Sequence, residues 1–379
     1  MYEAEARKGL ADAKRLVVKV GTSSLTHSTG KLNLAQLERL VRALADLANQ
    51  GRQVVLVTSG AIGAGMGRLG FNKKPKTIPE KQAAAAVGQG LLMHMYEKLF
   101  SEYGYAVGQV LLTRDDMNNR GRFLNARNAL LTLLQYRVIP VVNENDTVAI
   151  EEMRVGDNDT LSALVAGLVD ADLLVLLSDI DGLYNGDPRT DETARIIPLV
   201  REINPEIEGL AGGAGSALGT GGMGTKIAAA KIAMNSGIPM VIANGKRADI
   251  LAGLLAGEAL GTLFVPKETR LHTKERWIAF GSPVQGEIRV DQGAFKAIRL
   301  TGKSLLPIGI TGVEGNFEPG NVVSIKAPDG TEIARGMVNY SGEEIRRIKG
   351  RKTAEIAAVL GYKDYDEVIH RDNLVVSQN

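Results

Sequence analysis

Short apolar runs rich in β-branched residues alternate along the first two-thirds of the chain with longer segments of helical period. RLVVKV (15–20) reads as a buried strand, and the following LAQLERLVRALADLANQG places Leu37, Leu40, Val41, Leu44 and Leu47 on one helical face before Gly51. The same rhythm continues through strands at 53–60, 106–112, 138–143, 172–179 and 239–245. Helices are expected at 79–104, 122–137, 159–169 and 224–237. Repeated β–α alternation predicts a mostly parallel sheet sandwiched by helices. The rhythm stops near residue 265. Beyond it, GEIRV, AIRL and NVVSIKAPDGTEIARGMVNY read as short strands, with APDG as a hairpin turn. The expected division is an α/β domain over 1–268, a connector over 269–283 and a small all-β, barrel-like domain over 284–379.

Composition narrows the function classes. The chain has 379 residues, 44% hydrophobic and 23% charged, as in ordinary globular proteins. A net charge of +2 supplies no global field for nucleic acid or an anionic membrane. The absence of cysteine excludes disulfides, thiolate metal sites and thiol catalysis, and it fits a reducing compartment. The polar amino terminus lacks a signal core, and no apolar run reaches the roughly 18 residues a spanning helix needs. A cytoplasmic location without membrane contact is the expectation.

Ligands of parallel sheets bind beyond the carboxyl ends of the strands, so the strand-to-helix junctions carry the chemistry. In VVKVGTSSL, Lys19 lies within an apolar strand. It is either an edge lysine reaching for water or a cation beside a Gly/Ser turn that binds phosphate oxygens. Ser59 and Gly60 open a Gly-rich stretch after the second strand, either a tight turn or an anion site at a helix start. NENDTVAIEEMRVGDNDTLSA (143–163) gathers Asn143, Glu144, Asn145, Asp146, Asp157, Asn158 and Asp159. Asn158 or Asp159 would serve as a helix cap, which leaves most of the cluster free to grip an ammonium group, organise lysines or hold Mg²⁺ through water. LLSDIDGLYNGDPR, with Ser178 and Asp179 at a strand end, is either an ordinary loop or a nucleotide platform. GTGGMGTK (219–226) approaches the P-loop pattern, but Thr225 precedes Lys226 and no strand leads into it. It therefore reads as a Gly loop entering a helix. His27, His94, His272 and His370 are isolated, and no direct metal-ligating side-chain motif is found. Two lysines, two Gly loops and an acidic cluster suit phosphoryl transfer, which asks for positioning and charge neutralisation.

Together, VVKVGTSSLT, VTSGAIGAG, LLTRDDMNNRGRFLNARNAL, PVVNENDTVA, VGDNDTLSA, GLYNGDPR and GTGGMGTK resemble, in order, the motifs of the glutamate 5-kinases within the amino-acid kinase superfamily. The stretch from GEIRVDQGA to RRIKG resembles the PUA domain that bacterial forms carry. The resemblance implies transfer of the γ-phosphoryl group of Mg²⁺·ATP to the side-chain carboxylate of L-glutamate, the first step of proline biosynthesis. It implies that Lys19 and Lys226 stabilise the transferring group and that Asp159 orients them. Ser59, Gly60, Asp146, Asp157 and Asn158 would bind glutamate. Lys19, Ser178, Asp179, Thr220, Gly221, Gly222, Met223, Gly224, Thr225 and Lys226 would bind ATP. Ser178 stands where the family often has Thr, and the hydroxyl is kept. Feedback inhibition by proline, a homodimer or homotetramer, and a γ-glutamyl phosphate reductase as partner are further implications. PUA modules also occur with RNA-modifying enzymes, but residues 284–379 hold 13 Lys plus Arg against 13 Asp plus Glu, so RNA binding is not expected. The runner-up is a sister kinase acting on N-acetylglutamate, aspartate, carbamate or UMP.

Overall fold

The computed structural model describes residues 2–27, 31–71, 73, 75–149, 157–188, 190–210, 222–247, 249–266, 278–279 and 283–377. It contains two compact units, 1–271 and 272–379. Most of the connector expected at 269–283 lies outside the described residues.

The first unit is built on an eight-stranded sheet. Its strands are β1 (Arg15–Val20), β2 (Gln53–Val57), β3 (Val107–Leu112), β4 (Ile139–Glu144), β5 (Leu173–Ser178), β6 (Leu199–Val200), β7 (Met240–Asn244) and β8 (Thr262–Phe264). They are ordered β3-β4-β2-β1-β5-β7-β8-β6. Every pairing is parallel except β7 with β8. β1 and β5 sit centrally, and β5 is buried along its full length, which is why both read as continuous apolar runs instead of alternating ones. The helix Leu34–Asn49 buries the Leu37, Leu40, Val41, Leu44 and Leu47 stripe expected of it, with Asn33 accepting from the Gln36 N–H as its cap. The long helix Ile78–Ser101 starts with a Thr77–Glu80 capping box and a proline in its first turn.

The sequence pattern missed β6 and β8, which at two and three residues are too short to carry a period. Of the tight turn and the helix start offered for the Gly-rich stretch after Ser59, the helix start is the one found. In the fold it is a helix, Ala61–Leu69, entered through Gly60 at φ +98°. The glycines there serve packing. A Cβ on Gly65 would stand 1.8 Å from the Ala84 carbonyl oxygen, and one on Gly88 would stand 1.7 Å from that of Ala61. The helices 61–69 and 78–101 therefore meet backbone to backbone.

The second unit holds a five-stranded sheet, β10-β9-β11-β12-β13, formed by β9 (Val284–Val290), β10 (Ile310–Glu314), β11 (Val322–Lys326), β12 (Glu332–Met337) and β13 (Leu374–Val376). β11 and β12 form the expected hairpin about Pro328-Asp329-Gly330, with Gly330 at φ +87°. AIRL, read as a strand, instead lies in the helix Gln292–Thr301, capped by Asp291. Further helices at Gly342–Ile348 and Ile356–Leu360 flank the sheet. The unit encloses its own core around Ile288, Val323, Ile325, Ile345 and Ile369.

Candidate active site

Parallel register brings the carboxyl ends of five strands to one edge. Lys19 on β1 pairs with Val57 on β2 and Leu176 on β5. Ser178 on β5 pairs with Asn244 on β7. The Thr58 N–H donates to Val142 O, which sets Thr58 and Ser59 beside Asn143 at the end of β4.

The helix Asn158–Leu168 begins at this edge. Its cap is Asp157, whose Oδ1 accepts from the Asp159 N–H at 2.6 Å, so the capping role offered to Asn158 or Asp159 falls one residue earlier. Capping by Asp157 releases both neighbours for the site. Asp159 is fully buried and holds two lysines. Lys19 Nζ lies 2.5 Å from its Oδ1, and Lys226 Nζ donates to Oδ2 at 3.0 Å. Lys19 is 6% exposed and Lys226 7%, so neither ammonium relies on bulk water. The snorkelling alternative for Lys19 is thereby excluded. Burial pushes the Asp159 carboxyl upward, but the two ammonium groups outweigh it and hold its pKa below the ordinary carboxylate value.

Lys226 comes from the helix Met223–Asn235, whose first turn abuts that of 158–168. Thr225 Oγ1 donates to Asp159 Oδ2 at 3.0 Å and also lies 2.8 Å from Gly222 O. Thr225 thus reinforces the carboxylate from the same turn as Lys226. Two helix amino termini and two lysines surround one carboxylate, leaving an excess of positive charge at the strand ends.

A second cluster adjoins the first. Asn158 Nδ2 lies 2.8 Å from Thr58 O, 2.8 Å from Ser59 Oγ and 2.9 Å from Asn143 Oδ1. Thr58 Oγ1 shares a 2.7 Å hydrogen bond with Tyr96 OH, and burial pushes the Tyr96 phenol far above its ordinary pKa, keeping it neutral. Among the described residues, Asp157 Oδ2 and Asn158 Oδ1 are buried without a hydrogen-bond partner. Asp146 sits half-buried in the turn after β4.

On the other side of β1, Ser178 is buried at the end of β5 and its Oγ lies 3.3 Å from Oδ1 of the exposed Asp179. Asn244 Nδ2 donates to Asp181 Oδ1 at 2.7 Å, joining that loop to the end of β7. Gly222 caps the Lys226 helix, and Met223 and Gly224 form its first turn. Thr220 and Gly221 lie outside the described residues.

Sequence reasoning missed Thr58, Gln89 and Tyr96. Gln89 and Tyr96 are polar residues seven apart, hence near one another on a long helix, and a polar pair on one helical face was the available signal. Asn143 stood in the acidic motif without a role assigned.

A carboxylate clamping two lysines at the carboxyl edge of a parallel sheet, against two helix amino termini, marks a phosphoryl-transferring α/β enzyme. Residues 14–244 match the model of the Amino acid kinase family, and residues 286–360 match the PUA domain. The chain is 63% identical to Glutamate 5-kinase of Moorella thermoacetica over 99% of its own length and 100% of that relative. It is 61% identical to Glutamate 5-kinase of Carboxydothermus hydrogenoformans, covering 98% and 99% of the two chains. Against Glutamate 5-kinase of Caldanaerobacter subterraneus subsp. tengcongensis the identity is 57%, over 96% and 97%. The chain belongs to the amino acid kinase family and, within it, to the glutamate 5-kinases.

Proposed function

We infer that the chain transfers the γ-phosphoryl group of ATP to the side-chain carboxylate of L-glutamate, giving γ-glutamyl phosphate and ADP as the first step of proline biosynthesis. The observation that carries this reading is the Lys19–Asp159–Lys226 clamp at the strand ends, in a chain 63% identical to a glutamate 5-kinase. A glutamate carboxyl with a pKa of about 4.3 is ionised at neutral pH, so the nucleophile arrives without a proton to lose. One carboxylate oxygen forms a bond to the γ-phosphorus while the bond from that phosphorus to the β–γ bridging oxygen breaks. The electron pair leaves with ADP. No general base is required, and the work falls to charge stabilisation and alignment. Lys19 and Lys226 supply the charge. Asp159 holds both ammonium groups in place and leaves their remaining N–H donors for phosphoryl oxygens.

Glutamate binds at the Ser59–Asn158 cluster, with Asp157, Gly60 and Asp146 around it. Ser178, Asp179 and the 220–226 segment receive ATP. Asp159 is an unsuitable Mg²⁺ ligand because both its oxygens already face ammonium groups. Among the described residues, no three His, Cys, Asp or Glu side chains cluster as a metal site. Mg²⁺ would enter with the nucleotide, held by its phosphates and water, and no side chain is assigned to it. When bound, it neutralises phosphate charge.

Inhibition by proline at a site overlapping that of glutamate, assembly into dimers or tetramers, and hand-over of the acyl phosphate to a reductase belong to the same reading. They rest on family membership. Among the described residues, no helix is long and apolar enough to cross a membrane. A cytoplasmic location belongs to the same family-based reading. A coupled ADP-release assay with glutamate, N-acetylglutamate, aspartate, carbamate and UMP tests the assignment. Glutamate alone is expected to exceed the blank, and ADP release no greater with glutamate than without it would overturn the function.

A further inference from the structure

In an antiparallel pair, every second pair of facing residues exchanges two N–H···O bonds. The arms of chain between the 178–182 loop and β6 pair in this way. Tyr184 faces Ile196 as an isolated bridge, and the Asn185 N–H donates to Arg195 O at 3.0 Å. The register therefore sets Leu183 against Ile197 at a hydrogen-bonded position. One of the two expected bonds is direct, from the Ile197 N–H to Leu183 O at 2.8 Å. The other is relayed. The Leu183 N–H donates to Thr262 Oγ1 at 2.8 Å, and that hydroxyl donates to Ile197 O at 2.7 Å. A hydroxyl has one proton to give and lone pairs to accept with, so it fills both roles at once.

Thr262 opens β8 and is fully buried, as is Leu183, so water does not reach the relay. Its sheet side is firmly held. The buried Arg7 guanidinium donates to Leu260 O at 2.8 Å, to Gly261 O at 3.2 Å and to Pro198 O at 2.8 Å. The Leu263 N–H donates to Pro198 O as well, at 2.9 Å. The neighbours of Thr262 and of Ile197 are thus fixed to one another. On the loop side, the contact from Asn244 Nδ2 to Asp181 Oδ1 is exposed. The loop also packs directly on the relay, since a Cβ on Gly182 would stand 2.7 Å from Thr262 Oγ1.

We propose that Thr262 is a positioning residue for ATP: its hydroxyl, wedged between Leu183 and Ile197, sets how the loop 179–183 stands against β8. The inference rests on the reading above that Ser178 and Asp179 receive ATP, and it adds a residue from a strand the sequence pattern missed. Without the hydroxyl, the Leu183 N–H and Ile197 O are buried without partners, which is costly. The sheet side is pinned, so the loop relieves that cost by closing onto residue 197, and Asp179 moves with it.

Thr262→Val keeps the shape of the side chain and removes the hydroxyl. The KM for ATP is expected to rise roughly tenfold, as for a buried polar partner lost. The KM for glutamate and kcat at saturating ATP stay near wild type, because the lysine clamp and the Ser59–Asn158 cluster are untouched. Thr262→Ser keeps the hydroxyl and is expected to restore the KM for ATP. Gly182→Ala crowds the same contact from the loop, so it too is expected to raise the KM for ATP alone, and it carries the test if Thr262→Val does not fold. Thermal melting of each variant accompanies the kinetics. A folded Val variant that melts lower with an unchanged ATP KM shows a structural role only and overturns the proposal. An equal rise in both KM values, or a Ser variant as impaired as Val, overturns it as well. If Gly182→Ala stands in, an unchanged ATP KM there counts the same way. A wild-type enzyme without glutamate-dependent ADP release fails the functional reading itself, and the proposal with it. An active wild type with an indifferent Thr262→Val fails this inference alone.

Discussion

At the scale of single residues, the molecule turns on one buried carboxylate between two buried lysines. Such a group is kept in place by its partners. Removing its charge leaves Lys19 and Lys226 buried and mutually repelling, so Asp159→Asn is expected to cost about 3–5 kcal/mol in urea denaturation at neutral pH. The native pKa of Asp159 lies below its ordinary 3.8, since the lysines outweigh burial. Unfolding therefore takes up a proton at low pH. The stabilisation by Asp159 is complete above 3.8 and is lost as pH falls from there through the depressed native value. The stability gap between wild type and Asp159→Asn should accordingly narrow on going from about pH 7 to about pH 3, and a constant gap would refute the linkage. In the proposed mechanism Lys226→Ala removes one of the two charges that stabilise the transferring group. A fall in kcat of about 10²-fold or more is expected, and a near-wild-type kcat would remove Lys226 from the mechanism.

At the scale of elements, the helices 61–69 and 78–101 meet closely at Ala61, one residue beyond the Ser59–Gly60 turn that follows β2. Gly88→Ala would drive a methyl group to 1.7 Å from the Ala61 carbonyl oxygen, so the helices must part. The expected loss is at least about 1–3 kcal/mol, with a raised KM for glutamate as the Ser59 turn shifts. Gly90→Ala is the matched control. It lies on the same helix with nothing within 4 Å of its would-be Cβ, and gains about 0.5–1 kcal/mol from helix propensity. Equal denaturation midpoints for the two variants would show that the close approach carries no energetic weight. A glycine run looks the same in sequence whether it bends a chain or admits a neighbouring backbone, so the stretch after Ser59 stayed open between a turn and a helix start.

At the scale of the whole molecule, the candidate site residues run from Lys19 to Lys226, all within the first compact unit. The second unit has its own core and contributes none of them. Residues 1–271 alone are therefore expected to fold and retain glutamate-dependent ADP release, with kcat within about threefold of the full chain. Loss of activity in a folded fragment would place a necessary group beyond residue 271. The alternation of strands and helices made the first unit legible as a parallel sheet, because burial on both faces writes itself as unbroken apolar runs. The second unit was less legible. A four-residue run such as AIRL suits a strand or a helix turn equally, and the neighbouring Asp291 cap and full Gln292–Thr301 span were needed to choose.

Residue type and local order along the chain were enough to identify the parallel sheet, the hairpin at Pro328-Asp329-Gly330, the lysine in an apolar strand and the Asp and Asn residues waiting beside a helix start. These features are local, and hydrophobic period and capping chemistry act over a few residues. Which groups meet was decided by the fold. Lys19 and Lys226 are separated by more than two hundred positions and share Asp159 because β1 and two helix starts converge at one sheet edge. Asn158 meets the Thr58 carbonyl, Ser59 and Asn143 at the ends of two strands, and Asn143 in turn meets Gln89 of a helix with no motif of its own. A hydrogen bond has direction and short range, so it exists only once the chain has brought donor and acceptor together.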